Sequence, residues 1–439
     1  MSTPFAFTDV SVLATDGTAT VHSGWTVVVG ATGNIEYAGP SAAATIPAGY
    51  RRIGGDGKYV LPGLINAHAH LFSDGRPLAK IYLRPTTEVA VSHVLRSRLG
   101  QVMMRRRAMT NALTQLHSGV TTIRTVGDVA TEVIVLRDRI DKGEIVGPRM
   151  LPSGPLLAIT GGHGAPQIAR IADTVEQASD GTRANLDAGA RSIKISATGG
   201  VTDAKGIGHA GTPEMSEEGM RAICTVAHAE GVLVAAHAQS AEGVRRALRA
   251  GVDTIEHGSS LDQECIDLFL DNPASLRGWS ALIPTLQACL PLVKLDTSIT
   301  GINDVVRANA EIVLDEMVAG IQTAREHGIV LGMGTDSGVT YVTHSNTWRE
   351  LDHLVRFGGL SPAEALEAAT RINARILQLD TKTGTVEAGK SADLLVLDEN
   401  PLDGLRALES PTMVVAHGHL IESPTISRLA EIDAQFDSF

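Results

Sequence analysis

Short apolar runs alternate with longer amphipathic stretches from residue 60 to about residue 340, a pattern typical of a β/α protein. Each run is followed by polar residues and then by a segment with helical periodicity. Eight such runs begin at Leu61, Gly119, Met150, Ala190, Gly231, Gly251, Ser280 and Gly328. Continuous apolar strands that alternate with helices predict a parallel sheet covered on both faces.

Several runs begin with Gly-Val or Gly-Ile after a helix that ends in Ala, Gly or His, as in HAEGVLVAAHA and EHGIVLG. Such a glycine is typical of a helix end that leads into a buried strand. Eight units predict a (β/α)8 barrel over residues 61–380, with an open doubly wound sheet as the alternative. After the eighth unit, Ser361, Pro362 and Glu364 predict a capped helix start.

The two ends of the chain have a different pattern. Residues 1–60 and 381–439 contain short β-type runs separated by Gly, Pro and Ser. We therefore expect the two termini to pair into one small β-sandwich beside the barrel. The fold class is thus predicted as α/β.

Composition and charge limit the classes of function that this chain can have. Hydrophobic residues make up 43% and charged residues 20%, as in a globular domain, and the net charge of −12 disfavours nucleic acid and anionic membranes as partners. The three cysteines form no CxxC pair, which indicates free thiols rather than a disulfide framework. The N-terminus has no signal-peptide pattern, so a cytoplasmic location is expected.

Residues able to bind a metal fall where the predicted barrel strands end, the edge at which barrel active sites are built. His68 and His70 form an HxH pair, and residues i and i+2 of a strand point to the same side. Imidazole and carboxylate ligands suit Zn²⁺, Mn²⁺, Fe²⁺ or Co²⁺. The full candidate set is His68, His70, Lys194, His237, His257 and Asp336.

Each candidate also has a structural interpretation. A single histidine at a strand end is often a core residue, and Asp336 could cap the next helix. Lys194 lies between Ile193 and Ile195, where a buried lysine needs either neutralisation or an ion pair. The coincidence of candidates at five strand ends favours a metal site.

The segments LPGLINAHAHL, AAHA, IEHG and GTDSG, together with Lys194, resemble the binuclear subtype of the amidohydrolase superfamily. The imidazolonepropionase-related, prolidase-like branch is the most similar, through TGGHG, LSPAEALEAAT and GTVEAGKSADLLVLDENPL. That branch includes dipeptidases and hydrolases of N-acyl amino acids and ochratoxin-type amides. The resemblance covers nearly the whole chain.

This resemblance implies two divalent metal ions, with Zn²⁺ as the default. It places His68 and His70 on one ion, His237 and His257 on the other, and Lys194 between them as N6-carboxylysine. Asp336 would bind metal and act as general base and acid.

The resemblance also implies that His163 is a catalytic or substrate-contacting residue and that His344 contacts substrate, although a loop histidine remains the alternative for both. Related deaminases have a glutamate where this chain has Ser240, which favours amide hydrolysis. Lys205 and Arg349 are candidates for holding a substrate carboxylate. His209 lies in a Gly-rich loop that could reach the site.

We expect a hydrolase for a small amide or peptide substrate, such as a dipeptide or an N-acyl amino acid. A cyclic-amide hydrolase and a barrel without chemistry that acts as a binding scaffold are the alternatives. Barrel hydrolases often associate through their outer helices, so a homo-oligomer is expected.

Overall fold

A computed structural model describes residues 3–77 and 85–439. Its strands form a sheet built from both ends of the chain and a ring of parallel strands between them. In chain order the strands are β1 (Phe5–Leu13), β2 (Val21–Val29), β3 (Ile35–Pro40), β4 (Arg51–Gly54), β5 (Tyr59–Pro62), β6 (Leu64–Ala69), β7 (Val120–Thr125), β8 (Arg149–Leu151), β9 (Leu156–Ala158), β10 (Ala169–Ile171), β11 (Ile193–Ser196), β12 (Val234–Ala238), β13 (Thr254–His257), β14 (Ala281–Ile283), β15 (Val330–Leu331), β16 (Leu394–Leu397), β17 (Met413–Ala416) and β18 (His419–Ile421).

Helices connect the strands of the ring and cover its outside. They are α1 (Pro85–Arg96), α2 (Arg98–His117), α3 (Glu132–Asp141), α4 (Val175–Asp187), α5 (Glu217–Ala229), α6 (Ala241–Ala250), α7 (Gln263–Leu270), α8 (Leu286–Lys294), α9 (Thr297–Thr300), α10 (Asp304–His327), α11 (Thr347–Arg356), α12 (Pro362–Glu367), α13 (Asn373–Ile376) and α14 (Ala430–Phe436). Ser361 caps α12 in a capping box with Glu364, as predicted. Every helix in the described parts of the chain is too short or too polar to cross a bilayer.

The ring of strands closes through backbone hydrogen bonds. The strands run β6-β7-β8 in one segment and β10-β9-β11-β12-β13-β14-β15 in the other, all parallel. The third barrel strand is split into β8 and β9 around Pro152 and Pro155, because proline has no N–H for the ladder. The Ala67 amide donates to the Met333 carbonyl at 3.1 Å, which joins the last strand to the first. The predicted (β/α)8 barrel is confirmed.

The second sheet joins the two ends of the chain. β5 pairs antiparallel with β16, and Val60 lies opposite Val396. Side chains from both ends, among them Phe5, Val27 and Leu394, share one buried apolar core. The expected pairing of the termini into a β-sandwich is therefore observed.

Strand register determines which side chains enter the barrel. In β11, Ile193 and Ile195 belong to the apolar core that packs against the helices. Lys194 alternates with them and points to the other face, inside the barrel. Alternation along this strand thus carries the Lys194 side chain to the interior.

Gly251, which follows the end of α6, packs too closely against neighbouring backbone to accommodate a side chain. Gly251 has φ +98°, and a Cβ there would lie 2.4 Å from the Ala274 carbonyl oxygen. Gly231, which follows α5, has φ +69° and open space around the same position. An alanine at either site costs about 1–2 kcal/mol for the left-handed backbone alone. We expect Gly251→Ala to lower the melting temperature clearly more than Gly231→Ala in thermal unfolding. Equal shifts would show that the contact with Ala274 relaxes freely.

Candidate metal centre

The predicted ligands converge at the carboxyl ends of the barrel strands. The Nε2 atoms of His68 and His70 lie 3.3 Å and 3.0 Å from the same oxygen, Oδ1 of Asp336. One ligand atom each from His68, His257 and Asp336 lies within 4.8 Å of the others. The His237 ring is next to the His257 ring, with centroids 4.5 Å apart. Four imidazoles and one carboxylate therefore form one buried cluster.

Each histidine of the HxH pair binds the protein through its inner ring nitrogen. Nδ1 of His68 lies 2.6 Å from Oε2 of Glu256, and Nδ1 of His70 lies 3.1 Å from the Gly127 carbonyl oxygen. A neutral ring that donates Nδ1–H to these groups presents the lone pair of Nε2 to a cation. This is the usual orientation of imidazoles that hold a metal.

The other two histidines are also held through one ring nitrogen each, His257 through Nδ1 and His237 through Nε2. Nδ1 of His257 lies 2.6 Å from the Thr285 hydroxyl, which leaves Nε2 unengaged. Nε2 of His237 lies 3.3 Å from the Gly199 carbonyl, which leaves Nδ1 unengaged. Burial, as the largest cause, holds the pKa of His237 and of His257 well below the usual value. Both rings are therefore neutral near pH 7, the form that binds a cation.

Two of the converging residues have a strained backbone. His257 has φ +68° and Asp336 has φ +59°, in the left-handed region that non-glycine residues seldom adopt. Adjacent side chains of a strand normally point to opposite faces, but the turn at His257 breaks this alternation. Glu256 and His257 therefore both contact His68. Strain of this kind is often found at functional sites, where the surrounding structure maintains it.

A buried ion pair below the site orients His68. Arg124, on β7, places Nη2 2.7 Å from Oε1 of Glu256. Its Nε donates to the Ala67 carbonyl at 2.6 Å, and its Nη1 donates to the Thr254 hydroxyl at 2.9 Å. Burial raises the pKa of Glu256, but Arg124 and His68 together hold that pKa far below its usual value. Glu256 is therefore an anion that accepts hydrogen bonds from both neighbours.

The pairing of Arg124 with Glu256 was not predicted from the sequence. Its signal was nevertheless present, since Arg124 in TTIRT and Glu256 in TIEHG are charged residues inside apolar strands. A charge in such a position requires a partner. The partner could not be chosen from the sequence, because 132 positions separate the two residues.

Lys194 is buried without a hydrogen-bond partner. Its side chain is 3% exposed, and Nζ has no partner among the described residues. Burial lowers the pKa of its ammonium to about 8, although the nearby Glu256 and Asp336 carboxylates act to raise it. The salt bridge considered from the sequence does not form. An amine of this kind is largely desolvated and partly neutral near pH 8.

Asp336 is held as an anion by the histidines. Burial acts to raise the pKa of its carboxyl, but His68 and His70 hold that pKa well below the usual value. Asp336 is not a helix cap, because the next helix begins at Thr347 and has Asn346 at its N-cap position. Its carboxylate is thus free to accept a proton or to bind a cation.

His163 lies over the outer side of the site. Its ring stacks on the His237 ring with centroids 4.0 Å apart and an interplanar angle of 19°. Its Nδ1 is in close contact with the Asp203 carboxylate, and its backbone N–H donates to Oε2 of Glu214 at 2.9 Å. The half-exposed ring therefore has one nitrogen held by a carboxylate. Nothing in the sequence distinguishes Asp203 or Glu214 from other loop acids.

His344 has partners other than the expected substrate. Its Nε2 donates to the Ser73 carbonyl at 2.7 Å, and its Nδ1 accepts from Nε2 of Gln115 at 3.0 Å. Burial lowers the pKa of His344 to about 4, so the ring is neutral. With both nitrogens engaged, His344 ties the loop after β15 to the loop after β6.

Other candidates from the sequence lie elsewhere. Arg349 is 2.7 Å from Asp437 and stacks on the Phe436 ring, so the C-terminal helix holds it instead of a substrate carboxylate. Lys205 and His209 are exposed in the loop after β11. Ser240 is the N-cap of α6.

The fold and the site define a class of protein. The sequence matches the amidohydrolase family over residues 59–426, and the chain belongs to that family. It is a hydrolytic enzyme that acts on C–N bonds, in a family that is generally metal-dependent. The family resemblance predicted from the motifs is confirmed.

Individual relatives are similar over most of the chain. A solved structure of a candidate prolidase from Bifidobacterium longum is 51% identical, with a TM-score of 0.88, and the match covers 99% of this chain and 98% of that one. A solved Xaa-Pro dipeptidase with bound methionine is 27% identical, with a TM-score of 0.80 and coverage of 96% and 100%. Ochratoxinase from Aspergillus niger is 26% identical over 401 residues, covering 85% of this chain and 77% of that enzyme.

The buried lysine predicts a pH dependence of stability in the metal-free protein. In the unfolded chain Lys194 keeps its proton up to about pH 10.5, whereas in the folded chain it loses the proton near pH 8. Between these values the unfolded state binds more protons, so a rising pH stabilises the folded state by up to about 3 kcal/mol. We expect the melting temperature of the chelator-treated wild type to rise across this window relative to Lys194→Met. Parallel curves for the two proteins would contradict the assignment.

The buried ion pair predicts a large effect of one neutral substitution. Glu256→Gln leaves the Arg124 guanidinium buried without a counter-charge, which costs on the order of 3–5 kcal/mol. We expect a clearly lower melting temperature and a lower metal content per chain, because His68 loses its charged partner. The control Glu387→Gln neutralises an exposed carboxylate that pairs with Lys390 at 3.4 Å and should change neither quantity. Equal behaviour of the two variants would show that Glu256 does not support the site.

Proposed function

We propose that this enzyme is a binuclear metal-dependent amidase that cleaves the amide bond of a dipeptide or an N-acyl amino acid. The observation that carries the proposal is the unpartnered Nζ of Lys194 beside the converging ligands. An amine without hydrogen bonds in a closed interior is costly unless a further group completes its environment.

The residues fit a pair of divalent cations. His68 and His70 would hold one ion with Asp336, and His237 and His257 would hold the other. Lys194, once its neutral amine has added CO₂ and lost a proton, would supply an anionic carbamate between them. Imidazole and carboxylate donors make Zn²⁺ the first choice of metal. The bound ions would supply an activated water and stabilisation of developing negative charge.

Side chains of the protein transfer the proton of the attacking water. Asp336 is an anion within reach of the centre, so it accepts a proton from the water that attacks the amide carbonyl. It returns that proton to the nitrogen of the departing amine as the C–N bond breaks. His163, oriented by Asp203, lies over His237 and is placed to donate a hydrogen bond to the carbonyl oxygen as charge develops. His344 has no free nitrogen for substrate and is assigned to holding the loops.

The choice of substrate class rests on the relatives. The two solved structures described above are named as a candidate prolidase and an Xaa-Pro dipeptidase, and both match nearly the full chain. Ochratoxinase, whose name refers to ochratoxin, is 26% identical. These names favour a substrate in which an amide joins an amino acid to an acyl or aminoacyl group.

A substrate panel tests the proposal. Purified protein loaded with Zn²⁺ or Co²⁺ should hydrolyse members of a panel of Xaa-Pro dipeptides, other dipeptides and N-acyl amino acids, with about two metal ions per chain. Asp336→Asn should lower kcat by roughly a hundredfold or more, because it removes the proton acceptor. The control Asp352→Asn changes a half-exposed aspartate on α11 that pairs with Arg356, outside the proposed ligand set, and should keep the wild-type rate.

The other possible outcomes of this experiment would support other functions. Turnover of only a cyclic amide would favour ring-opening hydrolysis over the proposed reaction. Near-zero metal content with no turnover would favour a binding scaffold. An Asp336→Asn variant with a wild-type rate would remove that residue from proton transfer.

A further inference from the structure

Glu350 is a buried acid that the proposed reaction does not use. It lies in the first turn of α11 and is fully enclosed, at 0% relative exposure. Among the described residues no basic side chain pairs with it, and its oxygens accept backbone amides instead. Burial raises the pKa of Glu350 to about 8, although these hydrogen bonds act to lower it. A carboxyl group in such a place destabilises the fold unless its contacts offset the cost of burial.

The contacts of Glu350 are with the start of another helix, α8. Its Oε1 accepts from the Leu286 amide at 2.8 Å, and its Oε2 accepts from the Gln287 amide at 2.9 Å. These are the first two residues of α8, and amides in the first turn of a helix have no partner within the helix. They also form the positive end of the helix dipole, which favours an anion. Glu350 therefore caps a helix from a different part of the chain.

Thr285 precedes α8 but does not cap it. A threonine at the N-cap position usually accepts a hydrogen bond from an amide of the first turn. The Thr285 side chain makes no such bond. Its hydroxyl lies instead 2.6 Å from Nδ1 of His257. In this rotamer the hydroxyl serves His257 and leaves the start of α8 to Glu350.

A second contact joins the starts of the same two helices. Gln287 donates from Nε2 to the carbonyl of Asn346, the N-cap residue of α11, at 3.0 Å. Each helix thus sends one side chain to the backbone at the start of the other. Because α11 follows the loop of Asp336 and α8 follows β14, this double contact fixes two neighbouring loops at the mouth of the barrel.

We propose that Glu350 is a positioning residue of the metal centre, because by capping α8 it frees the Thr285 hydroxyl to orient His257. Without Glu350, the unpaired amides of α8 compete for that hydroxyl. His257 then loses the partner that holds its ring with Nε2 unengaged. The role rests on the proposed function, since it concerns the ion that His237 and His257 would share.

Cobalt titration of the chelator-treated protein tests this role. In Glu350→Gln one carboxylate oxygen becomes an NH₂ group, so one of the two amides of α8 loses its acceptor. We expect the wild type to bind about two Co²⁺ per chain, and the variant to bind one of them about tenfold more weakly, with an altered visible spectrum. The other ion should keep its affinity. A variant with wild-type affinities and spectrum would overturn the role of Glu350 and leave the proposed function standing.

The matched control for a purely structural effect is Asp253→Asn. Asp253 is also fully buried and accepts two backbone amides, those of Val234 and Leu276, each at 2.8 Å. These contacts lie at the opposite end of the barrel, because Val234 begins β12 whereas His237 is near its end. We expect both substitutions to lower the melting temperature, but only Glu350→Gln to change Co²⁺ binding. Equal losses of Co²⁺ affinity would indicate a general loosening of the fold and would overturn the assigned role.

Substitutions of Thr285 separate positioning from a direct effect of charge. Thr285→Val removes the hydroxyl and should weaken the same Co²⁺ step, whereas Thr285→Ser keeps the hydroxyl and should keep the affinity. If Glu350 acts through Thr285, adding Glu350→Gln to Thr285→Val weakens binding no further. Additive losses would show that the charge of Glu350 acts on the ions directly, which overturns the positioning role.

A conservative variant replaces Glu350→Gln if that protein fails to fold. Glu350→Asp keeps the charge and only draws the carboxylate back from the two amides of α8, so the same loss at one Co²⁺ step is expected. Unchanged Co²⁺ binding in this variant would contradict the positioning role. A wild type that binds no Co²⁺ would overturn the proposed function and this role together.

Discussion

Burial of ionisable side chains at the mouth of the barrel is the constraint on which the rest of the site depends. Glu256 and Arg124 are fully enclosed, and each would be strongly destabilising without the other. Their pairing fixes His68, and His68 in turn faces Asp336. Among the described residues, Lys194 has no direct partner for its amine, which supports the proposal that a further group binds there.

The two histidines of the HxH pair are held differently, which has chemical consequences. His68 donates to a carboxylate, whereas His70 donates to the peptide carbonyl of Gly127. An anionic partner makes an imidazole a stronger donor of electron density to a metal than a neutral partner does. In the proposed centre, His68 and His70 would therefore contribute unequally to the one ion that they share.

The C-terminal segment contributes to the site as well as to the sandwich. Ile432 and Phe436 of α14 pack with Tyr341 from the loop after β15. Asn346, in the same loop, donates to the Asp433 carboxylate at 2.6 Å. The loop that follows Asp336 is thus fixed by residues near the end of the chain. Contacts between distant segments, rather than local turns, set the shape of the rim.

Local patterns along the chain were enough to predict the alternation of strands and helices and the strand ends that carry His68, His237, His257 and Asp336. Periodicity and glycine positions are local properties, and barrel chemistry always lies at the carboxyl ends of the strands. Only the tertiary structure joined Arg124 to Glu256, engaged both nitrogens of His344, and left Lys194 without a partner. These contacts depend on which side chains meet when the barrel closes. The local sequence around a residue does not show which distant residue it will contact.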